Sequence, residues 1–588
     1  MIKRLWTAAA PAALLLLAGC ARMPAPSSAP RLVPPSRAWV ERTLRRMTVE
    51  EKVGQMIAVR FAGEFRNADS EYLKTLESLV VKDRIGGLIL FGGEVYETAE
   101  LTNAFQKLAR VPLLFASDFE RGIGTQVTGG TLFPPLMSLG AAGSEDLAYE
   151  MGRVTAVEGR AVGIHMTYAP VVDVNVNPDN PIINTRSVGE DPALVGRIAR
   201  AFIRGCQENG MLATAKHFPG HGDTAQDSHL LLPTIAADRE RLERVELAPF
   251  REAVAAGVRA VMTAHLYVPA LEPRPGLPAT LSRAILTDLL REKLGFKGLI
   301  VTDALEMAGI TNTYSTEEAS LKAVLAGADM LLLPPEPSRV AAFLAAAVRD
   351  GRLPARRVDD SVRRILEAKA SLGLDRERFV RVDDLRRTIA PRPSLDQAFR
   401  TFEKAVTLVR NEGSVLPLSG APERKIAVFA LSSDPGDYFA GRAFVGEMRK
   451  RLPGALAFFA DGDTGQEELD ADAAKCAGVD TVVFALFSRL TSSKGSVDLE
   501  PKHVALVERF AAAAGGPAVV AVSFGSPYFL RHFPDVEGYV CMYRNTPETQ
   551  QIAARALFGE MDVTGRLPVS LPGLYPIGHG LDLKKTEK

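Results

Sequence analysis

The sequence predicts an α/β fold, a (β/α)8 TIM-like barrel followed by a smaller doubly wound α/β domain of the αβα sandwich kind. Three observations carry this. Between residues 40 and 395 short apolar runs alternate with amphipathic stretches. Ionisable residues stand at the C-terminal ends of several of those runs. After an Arg-, Asp- and Pro-rich break at residues 372–400 a second, shorter series of runs begins. At 588 residues the chain is too long for one ordinary domain. With 47% hydrophobic and 24% charged residues, both parts can bury a core. Lys+Arg and Asp+Glu both number 70, so the net charge is zero and nothing electrostatic calls for nucleic acid.

Residues 1–20 read as a signal peptide. Lys3 and Arg4 form a positive start, and the apolar run Leu5 to Leu17, broken by Pro11, is too short to span a bilayer permanently. Leu17-Ala18-Gly19-Cys20 resembles a bacterial lipobox, which implies acylation of Cys20 and a lipid anchor on the periplasmic side of the cell envelope. Ala21 stands where an Asp would favour inner-membrane retention, so the outer membrane is expected. Residues 21–39, rich in Pro, Ala and Ser, form a tether. Cys206, Cys476 and Cys541 show neither disulfide nor metal spacing and are expected to be packing residues.

The barrel occupies residues 40–395. Its strand candidates are Gln55–Phe61, Gly87–Phe91, Leu113–Ser117, Met166–Val174, Leu212–Phe218, Ala260–Leu266, Leu299–Ala304 and Asp329–Leu333. Helix-like patterns between them include Asp146–Val162, Leu194–Gln207, Ala284–Lys293 and Glu317–Ala326. Asp118, Asp173, Lys216 with His217, His265 and Asp303 end these runs, and in a parallel barrel such ends converge on one catalytic face. The second domain, residues 396–588, offers strands at Lys425–Leu431, Thr481–Phe487, Ala518–Phe524 and Gly538–Tyr543, with helices at Lys502–Ala514 and Thr549–Phe558.

The stretch Lys216-His217-Phe218-Pro219-Gly220-His221-Gly222-Asp223 leaves a strand end and runs on through Asp227-Ser228-His229. Asp227 and His229 leave the same face of an extended loop, where the carboxylate can hold the imidazole and tune it to exchange a proton near neutral pH. By itself an Asp-x-His pair is a weak signal and fits a satisfied surface histidine better.

These motifs, taken together, resemble glycoside hydrolase family 3 and its β-N-acetylglucosaminidase branch. Lys-His-Phe-Pro-Gly-His-Gly followed by Asp-Ser-His resembles that branch's signature. Residues 47–56, Asn180-Pro181 with Arg186 to Pro192, Val301 to Met307, Leu408 to Glu412 and Gly565 to Val569 are similar to further family stretches, in the same order. The resemblance implies Asp303 as the nucleophile of a retaining mechanism, with His229 as acid/base oriented by Asp227. It also implies that Asp118, Arg186, Lys216 and His217 bind the hydroxyls of the terminal sugar. One stretch departs from the pattern: Asp-Gln-Glu-Gly-Gly-Arg is replaced by Asp118-Phe119-Glu120-Arg121-Gly122-Ile123, so Arg121 is given no role.

The expected activity is exo-hydrolysis of terminal β-linked N-acetylglucosamine from peptidoglycan fragments or chitooligosaccharides, by a monomer needing no metal or organic cofactor. Four other readings stand beside it. One is a family 3 β-glucosidase or β-xylosidase, and another a β-N-acetylglucosaminide phosphorylase. The third is a metallohydrolase using His221, Asp223, Asp227 and His229, and the fourth an inactive glycan-binding lipoprotein.

Overall fold

A computed structural model describes residues 31–228, 230–418, 424–437, 440–488 and 498–586. The signal peptide, Cys20, residues 21–30 of the tether and His229 lie outside these residues. Among the described residues no helix is long and apolar enough to cross a membrane.

The first domain is the barrel. Its strands are β1 (Ile57–Gly63), β2 (Gly87–Glu94) and β3 (Leu114–Ser117), with a two-residue β4 (Val127–Thr128) beside the end of β2. They continue with β5 (Met166–Thr167), β6 (Leu212–Phe218), β7 (Ala260–Thr263), β8 (Leu299–Ala304) and β9 (Met330–Leu332). All pair in parallel, and β1 closes the ring by pairing with both β2 and β9. β3, β6 and β7 are buried along their whole length, because helices cover the outside and side chains fill the inside. That double burial is why β3 and β7 read as short, mostly apolar runs, while β6 adds Lys216 and His217 near its C-terminal end.

Two barrel expectations need correction. The run Met166–Val174 supplies only the two residues of β5 as regular strand, because Pro170 carries no N–H for the ladder. Pairing resumes as a bridge between Val171 and Lys216. The segment Ala284–Lys293 is helical over the expected range but wound with i→i+5 bonds, of which Leu294 N–H to the Leu289 carbonyl at 2.9 Å is the last.

The second domain is one six-stranded sheet in the order β10 (Thr407–Asn411), β15 (Gly538–Cys541), β14 (Ala518–Ser523), β13 (Thr481–Phe487), β11 (Ile426–Ser432) and β12 (Leu456–Ala460). All neighbours are parallel except the β10–β15 edge pair. The period of two divides its residues cleanly. Val428, Ala430, Val483 and Ala485 enter one apolar layer, while Phe429, Leu431, Val482 and Phe484 enter the other. Both edge strands, β10 and β12, escape the sequence reading. β12 is an apolar run, Leu-Ala-Phe-Phe-Ala, that lies half-exposed at the sheet edge. Cys206, Cys476 and Cys541 are buried and unpaired.

The helix Arg392–Ala405 spans position 396 and packs on Leu136–Ala142 and Glu145–Ala161 of the barrel and on Pro547–Leu557 of the second domain. Two of the sequence stretches singled out above meet at this junction. The Glu190 N–H donates to the Pro568 carbonyl at 3.0 Å, and a Cβ on Gly189 would stand 2.3 Å from that same oxygen. Only glycine fits there. The Asn175 amide also donates to the Tyr528 hydroxyl at 2.9 Å, and Arg531 pairs with Asp179.

At the opposite end of the barrel Lys369 is fully buried, and its ammonium donates to Gln55 Oε1 at 2.6 Å. Burial pushes its pKa down to about 7. The unfolded value is about 10.4, so unfolding takes up a proton between these limits. Stability therefore rises with pH across that window. Lys369→Met is expected to raise the unfolding temperature by a few degrees at pH 6, with the gain shrinking toward pH 10. A gain that does not vary with pH in thermal melts would contradict this.

Candidate active site

The C-terminal strand ends surround a cleft of about 520 Å³. Asp118, Arg186, Lys216, His217 and Asp303 all line it, and the second domain contributes Arg544. Asp303 ends β8, where its Oδ1 accepts from the Ala304 N–H at 2.8 Å. Burial raises the Asp303 pKa, but the His265 and His217 rings, the Ala304 amide and Lys216 together outweigh it, leaving the carboxyl below its ordinary range. It is ionised at neutral pH, as a nucleophile needs.

Beside it lies a charged network. The Lys216 ammonium, buried at the end of β6, reaches Asp118 at 2.7 Å and Glu120 at 2.8 Å. Arg186 grips Glu120 with two nitrogens, at 2.7 and 3.1 Å, and donates to the Ile182 carbonyl at 3.1 Å. Burial opposes charge on Lys216, but Asp118 and Glu120 more than offset it and hold its pKa above the ordinary value. Glu120 is held well below the carboxylate range: burial works against its charge, and Arg186 and Lys216 outweigh it. Glu120 has no assigned role in the sequence reading. Its only local signal is the Asp118-x-Glu120 spacing, which puts both carboxylates on one side of an extended segment.

Two strand-end residues lie under the cleft rather than in it. Asp173 is fully buried and accepts from the backbone N–H groups of His217 at 3.1 Å and His221 at 2.7 Å, with His217 Nδ1 at 2.7 Å. It thereby fixes the His217 ring and the start of the loop after β6. His265 bonds Thr280 at 2.8 Å and the Ala304 carbonyl at 2.9 Å, bracing the Asp303 turn. Strand-end position does not distinguish a side chain facing substrate from one bracing those that do.

The loop after β6 passes tightly under the barrel mouth. A Cβ on Gly222 would stand 1.7 Å from the Val174 carbonyl oxygen, so the glycine is obligatory. His221 Nδ1 meets Thr224 at 3.0 Å and Nε2 meets Ser228 at 2.9 Å, and burial lowers its pKa to about 4, keeping it neutral. Asp223 turns instead to Arg241 at 3.1 Å. His221 and Asp223 thus take separate partners. Asp227 is buried, and its carbonyl accepts from Leu230 and Leu231, both at 3.0 Å. Ser228, next to it, lines the cleft. His229 lies outside the described residues.

Among the described residues, every carboxylate lining the cleft except Asp303 is paired with a cation: Asp118 with Lys216, Glu120 with Lys216 and Arg186, Glu306 with Arg60 at 2.6 Å.

Residues 48–368 match the glycosyl hydrolase family 3 N-terminal domain, and residues 406–581 match the family 3 C-terminal domain. A β-N-acetylglucosaminidase/β-glucosidase from Cellulomonas fimi is 31% identical over 546 residues, covering 90% of this chain and 95% of that protein. Among solved structures, a family 3 β-N-acetylglucosaminidase from Paenibacillus sp. str. FPU-7 is 34% identical with a TM-score of 0.78, covering 89% of this chain and 99% of the other. A β-glucoside phosphorylase is 28% identical with a TM-score of 0.80, covering 92% of this chain and 98% of the other.

Proposed function

The chain belongs to glycosyl hydrolase family 3, and from that footing we propose that it is a retaining exo-β-N-acetylglucosaminidase acting on glycans that end in β-linked N-acetylglucosamine. The observation that carries this reading is the ionised Asp303 at the end of β8, in the same cleft as the Asp118–Lys216–Glu120–Arg186 network. Asp303 attacks the anomeric carbon and forms a covalent glycosyl ester, while the network holds the ring hydroxyls.

Proton transfer falls to His229, oriented by Asp227. The imidazolium gives its proton to the leaving oxygen, and the neutral ring then accepts one from the attacking water. The pairing of all other cleft carboxylates with cations supports a loop histidine over a carboxylic acid. The lipobox ending at Cys20 supports attachment to the bacterial envelope on its periplasmic side, where peptidoglycan fragments are the natural glycans.

The likeness to a β-glucoside phosphorylase keeps a second reading in view, phosphorolysis, since a histidine acid/base does not repel phosphate as a carboxylate does. One experiment separates the readings: hydrolysis of paired aryl β-glycosides, N-acetylglucosaminide against glucoside, with and without phosphate. The expected result is at least a hundredfold preference for the acetamido sugar with free sugar as product. Preference for the glucoside would overturn the substrate assignment, and a sugar phosphate would make the enzyme a phosphorylase.

A further inference from the structure

Arg121 and Arg544 are two cleft residues that this mechanism does not use. Arg121 follows Glu120 directly and lines the cleft, yet its Nη1 is buried with no hydrogen-bond partner. It stands where the family stretch described above carries a glycine. Arg544 reaches the same cleft from the second domain, just beyond the end of β15. Tyr543 before it has φ +60°, a left-handed conformation costly for a bulky residue, and its hydroxyl is held by Thr407 at 2.8 Å. Such a backbone persists where the surroundings enforce it, and here it sets the direction of Arg544.

The two guanidinium groups are close enough to repel. Burial, with Arg544 adding to it, pulls the Arg121 pKa down to about 10 against the pull of Glu120. Glu120 is already committed to Lys216 and Arg186. Two cations facing one cleft, one with a buried donor unsatisfied, form a receptor for an oxyanion. The pair lines the same cleft as Asp303, Lys216 and Arg186, and neither guanidinium belongs to the Asp118–Lys216–Glu120–Arg186 network.

We propose that Arg121 and Arg544, one from each domain, form an oxyanion subsite for a sulfate, phosphate or carboxylate group, borne by the terminal sugar or supplied as free inorganic anion. The first source rests on the β-N-acetylglucosaminidase reading above. The second does not.

The test uses the full chain and its Arg121→Gln and Arg544→Gln variants, one in each domain. Rates are measured on 4-nitrophenyl β-N-acetylglucosaminide and on its 4- and 6-sulfate esters, and binding of inorganic phosphate and sulfate by titration calorimetry. If the sugar carries the anion, the ratio of kcat/KM for a sulfated over the neutral substrate falls at least tenfold in each variant. If the anion is free, phosphate or sulfate binds the unaltered protein and its Kd rises at least tenfold in each variant. Ratios and anion affinities all within twofold of the unaltered protein would overturn the subsite. Anion binding lost in the variants of a protein that cleaves neither substrate would uphold the subsite and refute the glycosidase reading.

Discussion

Asp303→Ala is expected to lower kcat on aryl β-N-acetylglucosaminides by about four orders of magnitude, because loss of a nucleophile leaves only binding and electrostatic contributions. The fold should survive it. Burial works against charge on Asp303, so removing the carboxylate relieves a cost as well as removing partners. Added azide should restore turnover in the alanine variant and release a glycosyl azide of inverted configuration, since the small anion fills the vacated space. A variant that keeps more than a tenth of the original kcat would remove Asp303 from the nucleophile role.

Lys216→Met is expected to damage both stability and binding. Lys216 is buried and sits within 2.8 Å of two carboxylates, so its loss takes from Asp118 the cation it meets at 2.7 Å and leaves Glu120 paired with Arg186. Breaking a buried pair by deleting one member typically costs about 3–5 kcal/mol. A loss of kcat/KM on the order of 10²–10³ should accompany it, because the sugar clamp loses its centre. The stability deficit has a sign in pH. The orphaned carboxylates are relieved by protonation, so the deficit should shrink as pH falls from 7 toward 4. Urea unfolding at the two pH values reads this directly. A deficit below about 1 kcal/mol at pH 7 would mean that Lys216 is dispensable to the network.

Much of the barrel is legible in the sequence because parallel strands buried on both faces, such as Leu114–Ser117, leave short apolar runs. The legibility fails where other physics intervenes. Pro170 interrupts the run Met166–Val174, and the apolar run Leu456–Ala460 is a half-exposed edge strand rather than a buried one. Site residues divide similarly. Asp118, Lys216 and Asp303 stand at strand ends where barrel topology gathers them, and Arg186 is recognisable from a motif in a loop. Asp173 and His265 share the strand-end position but brace the site from beneath. Glu120 is recognisable only once Arg186 and Lys216 are seen around it. Arg544 is illegible in sequence, because nothing local to the second domain says that its strand end faces the barrel.

The most direct measurement is to trap the intermediate. Brief treatment of the protein with a fluorinated N-acetylglucosaminyl fluoride, followed by peptide mapping, should show one glycosyl adduct, carried on the peptide holding Asp303 and absent from Asp303→Ala. An adduct on a different carboxylate, or turnover of the same reagent with inversion and no adduct at all, would contradict a retaining mechanism through Asp303.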